Sequence, residues 1–405
     1  MAAESPGLRS WPLLRDLAAL GPRRAGTEGG ARALAWLDQT LGQRGLTVRR
    51  QAFLAPSRTL YWGPVVSALP LVVLAAAQLR FPHLIGALAP FLMWLLLVPL
   101  VGELLALPIN LDLVLPRHIT YNLDAAVAGE GEGEIVLVAH HDTQWSSWLF
   151  HPRLGLRLRW YFLLAYLGLF GVPVLSSVVA FNPRPLPLAL LTGFTALLAA
   201  IAVSLAAAAL SGQDVVGAND NGSGVACAIA LAGRAKTAVE SGEWPRDGAR
   251  LRLLLTGGEE VGARGMLHWL KSERPEPAGV VFVNLDNVAG GGLRYLRSEG
   301  MALPLRYSPA LIRLADRLAE ESPADLSVGR TLLLPTDMMW PSAQGYAAIT
   351  FIGQGPDGAI PNYHWPTDTA ENISPQHLGE VEDTLFRYLA ALWREAAASK
   401  QNASA

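Results

Sequence analysis

The stretch EIVLVAHHDT, residues 134–143, indicates how this 405-residue chain is organised. Its first six residues form a short, mostly apolar and β-branched run, typical of a strand buried on both faces. Histidines and an aspartate follow directly. Three further runs have the same character and also lead into polar or charged residues. They are LRLLL (251–255), VVFVNL (280–285) and AITFI (348–352).

Helical patterns separate these predicted strands. They cover Gly29–Arg44, Gly222–Glu240, Val261–Lys271, Pro309–Glu321 and Pro375–Ala398. Buried strands that alternate with helices predict an α/β fold, with a mostly parallel mixed sheet and helices on both faces. In such a sheet the ligand site lies beyond the carboxyl ends of the strands. The residues that follow each strand are therefore the candidates for function.

The composition points to a membrane, because 51% of the residues are hydrophobic and only 16% are charged. Four stretches lack charged residues and are long enough, at about 17 residues or more, to cross a bilayer. They are Tyr61–Leu79, Leu84–Gly102, Trp160–Phe181 and Leu186–Gly212. The alternative is a set of buried core helices, but a helix of a soluble protein normally keeps a polar face. We therefore predict four spans arranged as two transmembrane hairpins.

The two hairpins divide the chain. We predict transmembrane hairpins at residues 59–116 and 145–216, and one α/β domain assembled from residues 1–58, 117–144 and 217–405. Arginines cluster beside the hairpins on the side of the α/β domain, whereas only Arg80 and Arg184 lie in the opposite turns. By the positive-inside rule this predicts a multi-pass membrane protein with its α/β domain on the cytoplasmic face.

Charge and cysteine content exclude several classes of function. A formal net charge of −2 gives no basic field for nucleic acid. The single cysteine, Cys227, excludes a disulfide framework within the chain and a zinc site made of several thiolates. Because Cys227 lies in the apolar run VACAIALAG, we expect it to be a buried core residue.

Imidazole and carboxylate groups follow the predicted strands or open the helix that begins near Gly222. They are His140, Asp142, Asp220, Glu259, Glu260, Asp286, His364 and Asp368. Each alone is weak evidence, since an isolated buried histidine is usually a hydrogen-bonded core residue. Several of them at one sheet edge would repel one another unless a cation were bound, and this mixture of ligands suits zinc.

Five motifs in order carry a resemblance to a known family. HHDT (140–143), GANDNGSG (217–224), GGEEVGARG (257–265), NLDNVAGG (284–291) and NYHWPTDT (362–369) resemble the motifs of the M28 metallopeptidases, the co-catalytic zinc aminopeptidases. The segment GPRRAGTEGG (21–30) also resembles the opening of that family. The resemblance covers essentially all of the chain outside the hairpins, and it implies a zinc peptidase fold.

The resemblance also implies residue roles. Two zinc ions, which Mn or Co could replace, would be held by His140, Asp220, Glu260, Asp286 and His364, with Asp220 between them. Glu259 would be the general base, and Asp142 would orient the ring of His140. The substrate would be the N-terminus of a peptide or protein. The residues alone leave open which member of the Glu259–Glu260 pair is base and which is ligand.

The chain departs from the family at Gln144–Val216, where a hairpin replaces a short loop between two metal-binding motifs. This predicts an active site near the membrane and a substrate that approaches from its surface. Two alternatives stay open. One is a single-zinc enzyme of the glutaminyl cyclase branch, and the other is a non-catalytic binding module like the transferrin-receptor relatives of this fold.

Overall fold

The computed structural model describes residues 9–105, 107, 109–154, 157–300, 304–332 and 334–403. These residues fall into two compact units. The α/β unit contains residues 1–55, 118–146 and 214–405, and the helical unit contains residues 56–117 and 147–213. The chain thus leaves the α/β unit twice and returns to it twice.

Helices and strands are numbered in chain order. The helices are α1 (Ser10–Ala19), α2 (Glu28–Gln43), α3 (Thr59–Arg80), α4 (Pro82–Ile85), α5 (Leu88–Leu104), α6 (Leu158–Phe181), α7 (Pro185–Ser211), α8 (Gly224–Glu240), α9 (Arg264–Glu273), α10 (Pro309–Glu321), α11 (Met339–Ala343) and α12 (Pro375–Ala403). The strands are β1 (Val48–Pro56), β2 (Arg117–Ala128), β3 (Glu134–His140), β4 (Trp145–Ser146), β5 (Gln213–Asp214), β6 (Arg250–Thr256), β7 (Val280–Asp286), β8 (Gly292–Tyr295), β9 (Ser298–Glu299), β10 (Leu305–Arg306), β11 (Ser327–Val328) and β12 (Ala347–Gln354).

The α/β unit is built on an eight-stranded sheet with the order β1-β2-β6-β3-β7-β12-β8-β11. Strand β3 pairs in parallel with both β6 and β7, and β12 pairs in parallel with β7. The antiparallel pairs are β2 with β6 and β8 with β12. The sheet is therefore mixed and mostly parallel at its centre, which confirms the predicted α/β class.

Alternate side chains of the central strands face opposite layers. Leu137 of β3 joins the large apolar cluster that also contains residues of α1, α2, α8, α10 and α12. Its neighbours Val136 and Val138 are equally buried and, by the alternation of a strand, face the other layer. On that side Trp269 of α9 contacts Phe282 of β7 edge to face. Cys227 lies fully buried in α8, as the sequence predicted.

Within its described residues, the helical unit contains three helices that are long and apolar enough to cross a membrane: α3, α6 and α7. The second predicted span, Leu84–Gly102, is not one helix. A short helix, α4, ends at Ile85 and the 17-residue α5 begins at Leu88, so the helix is interrupted around Gly86. Large apolar side chains are exposed on these helices, for example Leu69 in α3 at 53% and Leu95 in α5 at 57%.

Candidate metal centre

The predicted ligands lie together at the carboxyl ends of the central strands. His140 ends β3 and Asp286 ends β7, while Glu260 follows β6 and His364 lies in the loop after β12. Asp220 precedes α8. Parallel pairing of β6, β3, β7 and β12 brings these ends to one edge, so residues far apart in sequence become neighbours.

Two groups of three ligands share one aspartate. In the first, His140 Nε2 lies 3.4 Å from Asp220 Oδ1 and 3.6 Å from Asp286 Oδ1. In the second, His364 Nε2 lies 3.0 Å from Asp220 Oδ2 and 3.2 Å from Glu260 Oε2. The two carboxylate oxygens of Asp220 therefore face different histidines. The Asp220–Asn221 peptide bond is cis.

Glu259 lies beside the first group. Its Oε2 is 3.8 Å from His140 Nε2, farther than the carboxylate oxygens of Asp220 and Asp286. A third possible group combines His140 with both Glu259 and Glu260. Glu259 therefore lies at the edge of the first group, where its carboxylate is also close enough to be a ligand.

Burial and mutual charge perturb these groups strongly. Burial raises the pKa of Glu259 well above its ordinary value and that of Glu260 to about 7. Burial would lower the pKa of His364, but the charges of Glu260 and Asp220 raise it to about 10. The pKa of His140 is raised well above its usual range, because the charge of Glu259 and hydrogen bonds outweigh burial. Burial is likewise outweighed at Asp220, where the two histidines hold the pKa below its ordinary value.

The donor set fits a divalent cation. Glu260 Oε1 is buried and has no hydrogen-bond partner among the described residues. His140 Nδ1 lies 3.1 Å from the backbone carbonyl of Asp142, which can only accept, so Nδ1 carries a hydrogen and Nε2 is the nitrogen that faces the carboxylates. A dication bound among these carboxylates and imidazoles would stabilise the buried negative charge. The two groups of candidate ligands overlap at Asp220.

Asp142 does not make the expected contact with His140. Its carboxylate Oδ1 lies 3.8 Å from His140 Nδ1, and the backbone carbonyl of the same residue takes that position. Instead the carboxylate accepts hydrogen bonds from the backbone N–H groups of Glu259 (3.1 Å) and Glu260 (3.4 Å). Asp142 therefore fixes the turn that carries Glu259 and Glu260.

Neighbouring polar residues fix other parts of the site. Asp368 accepts from the backbone N–H of Asn219 (2.6 Å) and of Asp220 (2.9 Å), so it supports the loop of the shared aspartate rather than His364. Gln144 donates to Glu260 Oε2 at 2.8 Å. These contacts orient side chains that would otherwise rotate freely, which typically matters for metal affinity.

Several residues of the site escaped the sequence analysis. Asp337 is fully buried and accepts from Thr256 Oγ1 at 2.5 Å, while burial raises its pKa to about 7. Tyr363 stacks on the ring of His364 with centroids 3.7 Å apart. Arg23 lies fully buried near the same loops. Tyr363 directly precedes a predicted ligand and could have been found, whereas Asp337 follows no predicted strand.

A small cavity opens beside Asp286 and His140. Its walls combine the candidate metal ligands and other polar groups with apolar side chains from the loop before α11, from β12 and from the loop that carries His364. The apolar lining residues are Leu332, Leu334, Pro335, Ile352 and Ile360, together with Tyr363. The cavity has room for about one water molecule next to the candidate metal ligands.

Comparisons with known proteins agree with this geometry. Residues 202–389 match the family model of Peptidase family M28. No curated protein matches the chain. Similar solved structures include Porphyromonas gingivalis glutaminyl cyclase (16% identity, TM-score 0.54, covering 94% of this chain and 96% of that one). Others are a Zn-dependent exopeptidase from Parabacteroides distasonis (13%, 0.55, 94% and 97%) and a leucine aminopeptidase precursor from Bacteroides thetaiotaomicron (13%, 0.54, 94% and 96%). At these identities the likeness shows a shared fold.

Proposed function

Residues 202–389 match the family model of peptidase family M28, and from this match we propose that the chain is a membrane-anchored zinc aminopeptidase with two metal ions. The observation that carries the proposal is the position of Asp220. Its two carboxylate oxygens face His140 and His364 separately, within two groups of three ligands. A shared carboxylate between two such groups is the arrangement that a two-metal hydrolase needs.

His140, Asp220 and Asp286 would hold one ion, and His364, Asp220 and Glu260 the other. When bound, such ions supply Lewis-acid charge that lowers the pKa of water and polarises a carbonyl. Glu259 then accepts the proton of the attacking water and passes it to the leaving amine. Its buried carboxylate suits this role, because burial raises its pKa well above the ordinary value of a glutamate and makes it a stronger base. Asp142 keeps Glu259 in place through the backbone N–H.

The substrate would be the N-terminus of a peptide or protein. The cavity beside Asp286 is lined by carboxylates as well as by apolar side chains, so it does not favour one class of first residue.

Membrane anchoring is part of the proposal. Helices α3, α6 and α7 have the length and composition of spans, and we include the 17-residue α5 as a fourth. The cytoplasmic orientation rests on the arginines that flank the hairpins, with only Arg80 and Arg184 in the opposite turns.

The test combines metal analysis with an aminoacyl-amide panel on the full chain in detergent. Wild-type protein should hold two zinc ions, and Glu259→Gln should keep both but lose at least about a thousandfold in kcat, because base and water positioning are both lost. Glu240→Gln, an exposed carboxylate at the end of α8, is the matched control and should behave as wild type. Fewer than two ions in the wild-type protein, or undiminished turnover in Glu259→Gln, would contradict the proposal.

A single-zinc glutaminyl cyclase is the second candidate. The group of Asp220, Glu260 and His364 has the shorter contacts, 3.0 and 3.2 Å, and would suffice for one ion. Several similar structures are glutaminyl cyclases. A peptide with N-terminal glutamine separates the two outcomes: a cyclase releases ammonia and leaves a pyroglutamyl peptide, whereas an aminopeptidase releases free glutamine.

A further inference from the structure

The guanidinium of Arg23 lies buried in the loop between α1 and α2, and its side chain donates to three backbone carbonyls. Nε donates to the oxygen of His141 (3.1 Å), Nη1 to that of Val216 (2.6 Å) and Nη2 to that of Gly217 (2.8 Å). The backbone N–H of the same residue donates to Thr143 Oγ1 at 2.9 Å. Arg23 itself is 0% exposed, so no water competes for these bonds.

These acceptors belong to two different ligand-bearing segments. His141 directly follows the ligand His140, and Gly217 begins the loop that leads to Asp220. Between them the chain leaves the α/β unit after Ser146 and returns at Asp214. The backbone therefore does not join the two segments by a short loop, and the planar fork of one arginine bonds to both of them.

Arg23 also brings positive charge close to the carboxylates. Burial lowers its pKa to about 10, but the negative charges of Asp368, Asp142, Asp220 and Glu260 act in the opposite direction. At this value the guanidinium is charged at neutral pH. A fixed cation near four acids reduces their mutual repulsion without occupying a ligand position.

We propose that Arg23 is a positioning residue of the metal centre: by tying the His140 segment to the Asp220 segment, it sets the spacing of ligands for both ions. The proposal rests on the two-metal function. Arg23 contacts neither ligand side chain, so its effect on catalysis passes through ligand geometry. Loss of the three hydrogen bonds from the Arg23 guanidinium should raise the zinc Kd by about tenfold or more, as with other residues that orient metal ligands.

The experiment compares Arg23→Gln and Arg23→Lys with wild type, using full-length protein in detergent. Zinc Kd values come from competition with a chromogenic chelator, and melting temperatures are taken with and without zinc. Arg50→Gln is the matched control, since Arg50 lies in the same α/β unit but pairs with Asp38, which belongs to neither ligand-bearing segment. For both Arg23 variants we expect a raised zinc Kd and a smaller zinc-induced rise in Tm, whereas the control should match wild type in both measurements.

A purely architectural role would lower the Tm of the metal-free Arg23→Gln protein yet leave the zinc Kd and the zinc-induced Tm rise unchanged. That result overturns the proposal. If Arg23→Gln does not fold, Arg23→Lys carries the test, because it keeps the charge but cannot reproduce the fork. Wild-type protein that binds no zinc would refute the two-metal function itself, whereas two bound ions with unaffected Arg23 variants would refute this inference alone.

Discussion

The two units of the molecule differ in where their energetically unfavourable side chains lie. In the α/β unit these side chains are in the interior, where the carboxylates of Asp220, Glu260 and Asp286 lie close together. In the helical unit they are on the surface, where apolar side chains such as Leu69 and Val203 are exposed at 53% and 69%. Buried like charges and exposed hydrocarbon are both costly in water.

This difference fits the surroundings proposed for each unit. A divalent cation would convert the repulsion among buried acids into attraction. A lipid phase would remove the cost of the exposed apolar faces. Inside the helical unit, buried polar side chains such as Gln78 and Ser176 exchange hydrogen bonds. Each unit can therefore be perturbed separately. The four substitutions below test whether the α/β unit depends on the charges of its buried acids and the helical unit on its apolar surface.

The largest effect is expected at Asp220, since it belongs to both ligand groups. Asp220→Asn should lower kcat/KM by more than about a thousandfold and reduce the zinc content of both sites, because the neutral amide cannot join two cations. Zinc analysis and aminoacyl-amide hydrolysis measure this. Two retained ions with activity within tenfold of wild type would show that Asp220 is not a shared ligand of both ions.

A charge on the outer face of the helical unit tests the second half of the comparison. Leu69→Lys places an ammonium group at the middle of α3, where a bilayer would impose about 2.5–3.5 kcal/mol. The amount of protein in the membrane fraction should fall strongly. Phe81→Lys, just beyond the end of α3, is the control and should insert normally. Equal yields of the two variants would argue against α3 as a span.

The buried acid outside the ligand set gives a pH-dependent prediction. Burial raises the pKa of Asp337 to about 7, so the folded protein holds this proton more tightly than the unfolded chain, whose pKa is about 4. Wild type should therefore lose stability relative to Asp337→Asn as the pH rises from about 4 to 7. In metal-free protein, the free energy of unfolding of Asp337→Asn minus that of wild type should increase by about 2 kcal/mol between pH 5 and 8.

Thermal melting at several pH values checks this, with Asp16→Asn as the exposed control. A stability difference between wild type and Asp337→Asn that stays constant with pH would mean that Asp337 does not change protonation in this range.

The smallest effect is expected at Asp368, which acts on Asp220 through the backbone. In Asp368→Asn only one oxygen can accept, so one of the N–H groups of Asn219 and Asp220 loses its partner. Zinc affinity should fall about tenfold. Asp357→Asn, in an exposed loop, is the control in the same chelator titration. Unchanged affinity would confine Asp368 to a role in loop packing.

The central strands, and the candidate ligands that follow them, could be predicted from the sequence because each signal is local. An apolar run such as that of β3, followed at once by His140, indicates a buried strand and the residue at its carboxyl end. The role of Asp142 as the group that orients His140 stays a prediction: its backbone carbonyl lies 3.1 Å from the ring nitrogen and its carboxylate 3.8 Å from it. Arg23 and Asp337 were missed because their importance comes from burial by distant segments, which no local pattern reveals.

The helical unit was less completely predicted for a related reason. Composition identifies an apolar segment but does not show where a helix within it ends. The predicted span Leu84–Gly102 is interrupted around Gly86, between α4 and α5. The glycine and the preceding proline Pro82 provide only a weak local signal inside a long apolar run.

The strand order of the sheet has a consequence for biosynthesis. Strand β3 lies between β6 and β7, which follow it by more than a hundred residues, and His364 is translated later still. The ribosome must therefore complete all four apolar helices before the ligands can meet. Under the proposed function, a nascent or prematurely terminated chain that ends before His364 lacks one of the candidate ligands and should have no hydrolytic activity.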